Sequence, residues 1–259
     1  MTITGFSTGG ASVHFHYLSH KSDGLFQNGI SHSGVAINPW VLQENARQKS
    51  HKIALLTKCP MDHHGLLQCL RQKPAEELVM LARHFLDFLY YPFSPFAVVI
   101  EKSHPTAFIT EHPMSLLENE KVKKLPWLLS QTLDEGLYPA TEFYNDKHLQ
   151  VINDRWEDVA KYILDFNETT SNADPKIEVS KKIRQHYLGD APITKKNFMT
   201  FDNVRSKILE FQKILIFEFF VDCHRSIIQS RRCQSNQTSI KCRVPLFLPL
   251  LLQEPVGSC

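Results

Sequence analysis

The 259-residue chain has no run of about 18 or more apolar residues, which argues against a membrane-spanning helix. Its longest late apolar stretch, Val244 to Leu252, is broken by Pro245 and Pro249. The first residues lack the basic, then apolar, then small-residue layout of a secretory leader. A dominant charge sign is also missing. There are 29 Lys and Arg against 27 Asp and Glu, scattered rather than striped, so no nucleic-acid partner is expected. The six cysteines contain no zinc-like Cys-x-x-Cys pair, so no metal is expected, and no internal repeat is visible.

What is present is the composition of an ordinary folded chain, 42% hydrophobic and 22% charged. It is long enough to bury a sizeable core. Thr2 to Thr4 is β-prone, Gly5 to Gly10 reads as a tight turn, and Ala11 to Leu18 as a helix. Leu25 to Ile30 is a second strand candidate. Helices are expected over roughly Val41 to Leu56 and Pro74 to Leu89, the second with Leu78, Leu81, Ala82, Phe85, Leu86 and Leu89 at helical spacing. Phe96 to Ile100 and Trp127 to Gln131 are further strand candidates, and Lys176 to Tyr187 reads as a charged helix. Strands separated by helices predict an α/β fold on a parallel sheet. Cys59 and Cys69 frame a short polar loop that suits either a local disulfide or two buried thiols, while Cys223, Cys233, Cys242 and Cys259 match no framework.

Gly5-Phe6-Ser7-Thr8-Gly9 satisfies G-x-S-x-G, with β-prone residues before it and a helix-compatible stretch after it. A serine on a sharp strand-to-helix turn sits in strained backbone, and small residues two before and two after it let neighbouring backbone pass. Its hydroxyl then projects to the top of a sheet. The N–H of Thr8, opening the helix, points at the carbonyl oxygen of a bound ester, where losing such a donor costs roughly 10²–10³ in rate. Asp134-Glu135-Gly136 follows the Trp127 strand candidate. An acid on a loop at a strand's C-terminal end is placed to orient an imidazole, although by itself an acidic turn is far more often a solvated loop.

The run Gly5 to Val13, then Leu25-Phe26-Gln27 leading to Ser31-His32-Ser33-Gly34, resembles type-B carboxylesterases, the insect members in particular. Asn38-Pro39-Trp40, Cys59-Pro60, Cys69-Leu70-Arg71, Pro74 to Leu78 and Leu129 to Gly136 continue the likeness in order, over residues 1–204. The resemblance implies an α/β-hydrolase fold, here incomplete, and hydrolysis of small carboxylic esters through an acyl-serine with no cofactor. Ser7 matches the nucleophile, Thr8 an oxyanion donor, and Glu135 the triad acid, 128 positions on (135 − 7). Cys59 and Cys69 resemble a family disulfide. Trp40, Phe93 and Phe96 look like acyl-pocket lining, with plain core as the alternative. Secretion of the full-length parent is implied, which would make Asn167-Glu168-Thr169 and Asn236-Gln237-Thr238 glycosylation acceptors.

Departures from the family are informative. Phe6 stands where relatives often carry Glu, Gln or His, and Thr8 where they usually carry Ala. The glycine-rich oxyanion loop and the early strands do not occur in the chain. After Glu135 the histidines are His148, His186 and His224, none in the His-Gly or His-Asp loop that carries the family's base. His148 and His186 read as surface helix residues. The expectation is therefore a parent esterase and a chain impaired for lack of its base. The alternatives are a non-catalytic esterase-like binding protein, or a chain whose tail, 205–259, is atypical and partly foreign.

Overall fold

The computed structural model describes residues 1–132, 135–136, 141–167 and 173–195. Three parallel strands, β1 (Thr2–Phe6), β2 (Asn28–His32) and β3 (Trp127–Ser130), lie in the order β1-β2-β3. The crossover from β1 to β2 is the helix α1 (Thr8–Leu18). The parallel sheet with helical crossovers is the expected α/β class.

Helix α1 buries Ala11, Val13, His14, Phe15, Tyr17 and Leu18. Side chains alternate across each strand, so Ile3, Gly29, Trp127, Ser31 and Leu129 share the face that α1 covers. Gly29 lacks a side chain because the Tyr17 ring takes its place: a Cβ there would lie 2.5 Å from that ring. The Tyr17 hydroxyl donates to the Pro126 carbonyl at 2.6 Å, just before β3, and burial pushes the phenol up to about 12. The opposite face presents Phe6 (72% exposed) and Leu128 (57% exposed).

Element boundaries depart from expectation where tertiary contacts compete with local pattern. Helix α1 begins three residues before Ala11, because Ser7 already occupies its N-terminal cap position. Strand β2 starts at Asn28 rather than Leu25, since pairing with β1 runs from Thr2↔Asn28 to Phe6↔His32 and Phe26 is drawn into the core against Tyr17. Helix α2 (Ala46–Thr57) starts five residues after Val41. Backbone bonds from Gln43 N to Val98 O (2.7 Å) and from Val98 N to Val41 O (3.1 Å) hold that segment extended. The Phe96 to Ile100 candidate is accordingly a single bridge, Leu42↔Val98. The Pro74 to Leu89 helix is a six-residue α4 (Ala75–Met80) running into a 3-10 turn, Leu81–Phe85.

The Cys59–Cys69 disulfide joins the end of α2 to α3 (His63–Arg71). Helix α5 (Pro113–Glu118) packs Leu116 and Leu117 into the core below α1. A second core gathers Leu149, Ile152, Trp156, Val159, Ile163 and Ile183 from α6 (Asp146–Asp154), α7 (Trp156–Ile163) and α8 (Ala173–Tyr187), joined by Tyr91 and by Phe143 of the 3-10 turn Thr141–Tyr144. Trp156 ties α7 to α8, its indole N–H donating to Ser180 O at 2.7 Å. His148 and His186 lie on α6 and α8, His186 exposed. The tail from residue 196, with His224, Asn236 and the last four cysteines, lies outside the described residues.

Candidate active site

Ser7 stands between β1 and α1 with φ 52 and ψ −116, a backbone region costly for any residue with a side chain. It fills the position where serine ordinarily caps a helix, yet its side chain makes no capping bond. The exposed hydroxyl is therefore not spent on the N–H groups of the first turn. Backbone bonds fix the corner: Ser7 N donates to His32 O at 2.8 Å, and Ala11 N to Ser7 O at 3.0 Å. Thr8, also exposed, opens the helix at its positive dipole end.

Glycines surround this corner, but not in the symmetric way the motif suggests. A Cβ on Gly5 would sit 2.3 Å from the Gly9 carbonyl carbon and oxygen, so the position two before Ser7 must be bare. A Cβ on Gly9 would meet nothing within 4 Å. Gly9 is thus the backbone that needs Gly5 small, and its own side chain is not limited by the described residues. The tighter positions are elsewhere. A Cβ on Gly34 would lie 1.9 Å from Ser7 O, and one on Gly10 2.8 Å from His32 O and 2.9 Å from Gly34 O.

Glu135 follows β3 at the same C-terminal sheet edge as Ser7. Its Oε1 accepts from Ser33 Oγ at 2.7 Å and from the Thr132 N–H at 2.8 Å. Ser33, itself at φ 53, follows β2 and donates its N–H to Ser130 O at 2.9 Å. The ends of all three strands thus meet through Ser7, His32, Ser33, Ser130 and Glu135. Asp134 lies outside the described residues. Ser33 and Gly34 carry no assigned role in the sequence reading. The available signal was their place directly after a strand, beside the corner made by Gly5 to Ser7.

On the sheet face away from α1, the Phe6 ring stacks on His32 at 4.4 Å, and His32 Nδ1 shares a 2.5 Å hydrogen bond with Ser130 Oγ. Trp40 and Phe93 meet edge to face at 6.0 Å. Phe96 pairs instead with Phe85, at 4.9 Å. Below the sheet, His14 is fully buried, its Nδ1 accepting the Ala36 N–H at 3.0 Å. That bond leaves the ring proton on Nε2, which has no hydrogen-bond partner. Burial lowers its pKa to about 3. Asn167 Oδ1 accepts from Lys176 Nζ at 3.4 Å. Among the described residues no three His, Cys, Asp or Glu side chains gather as a metal site requires, and no helix is long and apolar enough to cross a membrane.

A serine at positive φ between a parallel strand and its helix, with a carboxylate beyond the C-terminal end of another strand of the same sheet, fits the α/β-hydrolase class. The model of the carboxylesterase family matches residues 1–219, reaching past Val204. A venom carboxylesterase-6 of Apis mellifera is 43% identical over 195 residues, covering 74% of this chain and 35% of its own length. A carboxylic ester hydrolase of Bombus ignitus is 37% identical (84% and 39% covered), and an esterase-5A of Drosophila pseudoobscura pseudoobscura 34% identical (86% and 42% covered). The chain belongs to the carboxylesterase family. It spans about two fifths of the length of these relatives.

Proposed function

We propose that the intact protein hydrolyses small carboxylic esters through an acyl intermediate on Ser7. The single observation that carries this reading is the corner itself: a strained serine at φ 52 whose hydroxyl is withheld from capping the helix behind it. The Ser7 oxygen adds to the ester carbonyl while its proton passes to an imidazole. The tetrahedral oxyanion is held in part by the Thr8 N–H, and the alcohol leaves with the proton from that imidazole. Water then cleaves the acyl–oxygen bond and restores the serine. Glu135 orients the imidazole, and its anchoring by Ser33 and the Thr132 N–H supports that role. None of His148, His186 and His224 is assigned that imidazole, so this chain by itself is impaired in this reading. Trp40, Phe93 and Phe96 line the acyl side in this reading, the first two supported by their ring contact. The Cys59–Cys69 disulfide supports secretion, with Asn167 as a glycan acceptor.

The test is fluorophosphonate labelling of the intact protein, mapped by mass spectrometry, with p-nitrophenyl ester turnover measured in parallel. A single adduct on Ser7, lost in Ser7→Ala together with turnover, is the expected result. An unlabelled Ser7 overturns the reading, and an adduct without turnover favours a binding protein.

A further inference from the structure

Beneath the sheet, a line of hydrogen bonds runs from β3 through β2 to the helix that begins at the serine corner. The Trp127 indole N–H donates to Ser31 Oγ at 3.0 Å, and Ser31 Oγ donates to Gly10 O at 2.8 Å. Ser31 is 1% exposed. A hydroxyl that accepts from a fixed indole has its own proton directed onward, so its orientation is set from both sides. Gly10 O is an unusual acceptor to reach. It belongs to the first turn of α1, two residues past Thr8, in a turn wedged so closely against the exit of β2 that a Cβ would not fit. The Trp127 ring is in turn held by His14 at 4.5 Å and by Tyr17 at 5.1 Å, both on α1. The Ser31–Gly10 bond therefore ties α1 to β2 beside the corner, while Trp127, at the start of β3, and Tyr17, near the end of α1, pack toward the opposite end of the sheet.

We infer that Ser31 is a positioning residue for catalysis: with Trp127 behind it, it sets the first turn of α1, and through it the Thr8 N–H, at the place the oxyanion will occupy. The inference rests on the esterase reading above. Its physical basis is that an oxyanion donor acts only when held at hydrogen-bond distance from charge that develops late, so small displacements of the turn affect turnover more than substrate binding.

The test uses the intact protein, at temperatures well below each variant's unfolding midpoint. Ser31→Ala should lower kcat for p-nitrophenyl butyrate about tenfold while KM stays within about twofold. A trifluoromethyl ketone, which adds to the serine as a tetrahedral hemiketal, should bind about tenfold more weakly. Ser31→Thr, which keeps the hydroxyl, should recover most of kcat. Trp127→Phe should lower kcat in the same sense, and adding it to Ser31→Ala should lower kcat no further, because both act on one line of bonds. A wild-type protein that neither labels nor turns over overturns the esterase reading and this inference with it. A wild type that works, beside a Ser31→Ala variant with a lowered unfolding midpoint but unchanged kcat, overturns this inference alone. Should Ser31→Ala fail to fold, Trp127→Phe decides, and an unchanged kcat there overturns the inference.

Discussion

The sheet edge around Ser7 and the helical core around Trp156 are stabilised by different means. At the sheet edge the close approaches are backbone against backbone, with no room for a Cβ at Gly5, Gly10 or Gly34, and polar side chains lock what sterics bring together. Around Trp156 the packing is ordinary apolar burial, with Ile152, Val159, Ile163 and Ile183 filling volume between α6, α7 and α8. Volume can be refilled by a neighbour's rotamer, whereas a backbone corner has no alternative arrangement. Positional precision therefore sits in the first region and bulk stability in the second.

Paired substitutions in the intact protein break that contrast most directly. Gly34→Ala puts a methyl group 1.9 Å from Ser7 O, an atom that cannot move without moving the corner. Fluorophosphonate labelling of Ser7 should fall by about 100-fold or more even in folded protein. Trp156→Ala removes a ring that is 4% exposed and the bond to Ser180 O, and should cost about 3–5 kcal/mol in urea unfolding. Its folded fraction should label at the wild-type rate. If Trp156→Ala slowed labelling of folded protein as much as Gly34→Ala, the division of labour would be wrong.

A smaller effect sharpens the same contrast through pH. Burial depresses His14, so between about pH 6.5 and pH 3 the unfolded chain binds a proton that the folded one refuses. The contribution is complete above about pH 6.5 and is lost as the pH falls, by up to about 1.4 kcal/mol per unit. His14→Gln offers an amide oxygen to the Ala36 N–H without titrating. By about pH 4.5 it should retain about 2–3 kcal/mol that the wild type has lost, relative to their difference at neutral pH. Equal pH slopes for the two proteins would show that the ring is not held neutral between α1 and Trp127.

The sequence made the corner legible because its chemistry is local: Gly5, Ser7 and the helix-forming stretch after them are contiguous. Glu135 was legible only as a candidate acid, since it reaches the corner through Ser33, 102 positions away (135 − 33). Ser31 was not legible at all. A serine in a strand looks like any other polar residue until β3 brings an indole N–H to it from 96 positions away. The failed helix and strand boundaries share this cause. Val41 to Gln43 has helical spacing, but its backbone is claimed by Val98.

Gly9 is the smallest and sharpest case. Motif logic makes it the mirror of Gly5, a position kept bare so that backbone can pass. The geometry gives the two glycines unequal parts: Gly5 yields space, Gly9 supplies the backbone that fills it, and a methyl on Gly9 meets nothing within 4 Å. Gly9 is the second residue of α1, where glycine costs, relative to alanine, at most the about 0.5–1 kcal/mol of a helix interior. Within this chain Gly9→Ala should then raise unfolding stability by up to that amount, while Gly5→Ala lowers it by more. Should both substitutions destabilise alike in urea titrations, a constraint on Gly9 from beyond the described residues would have to be admitted, and the corner would be closed from both sides.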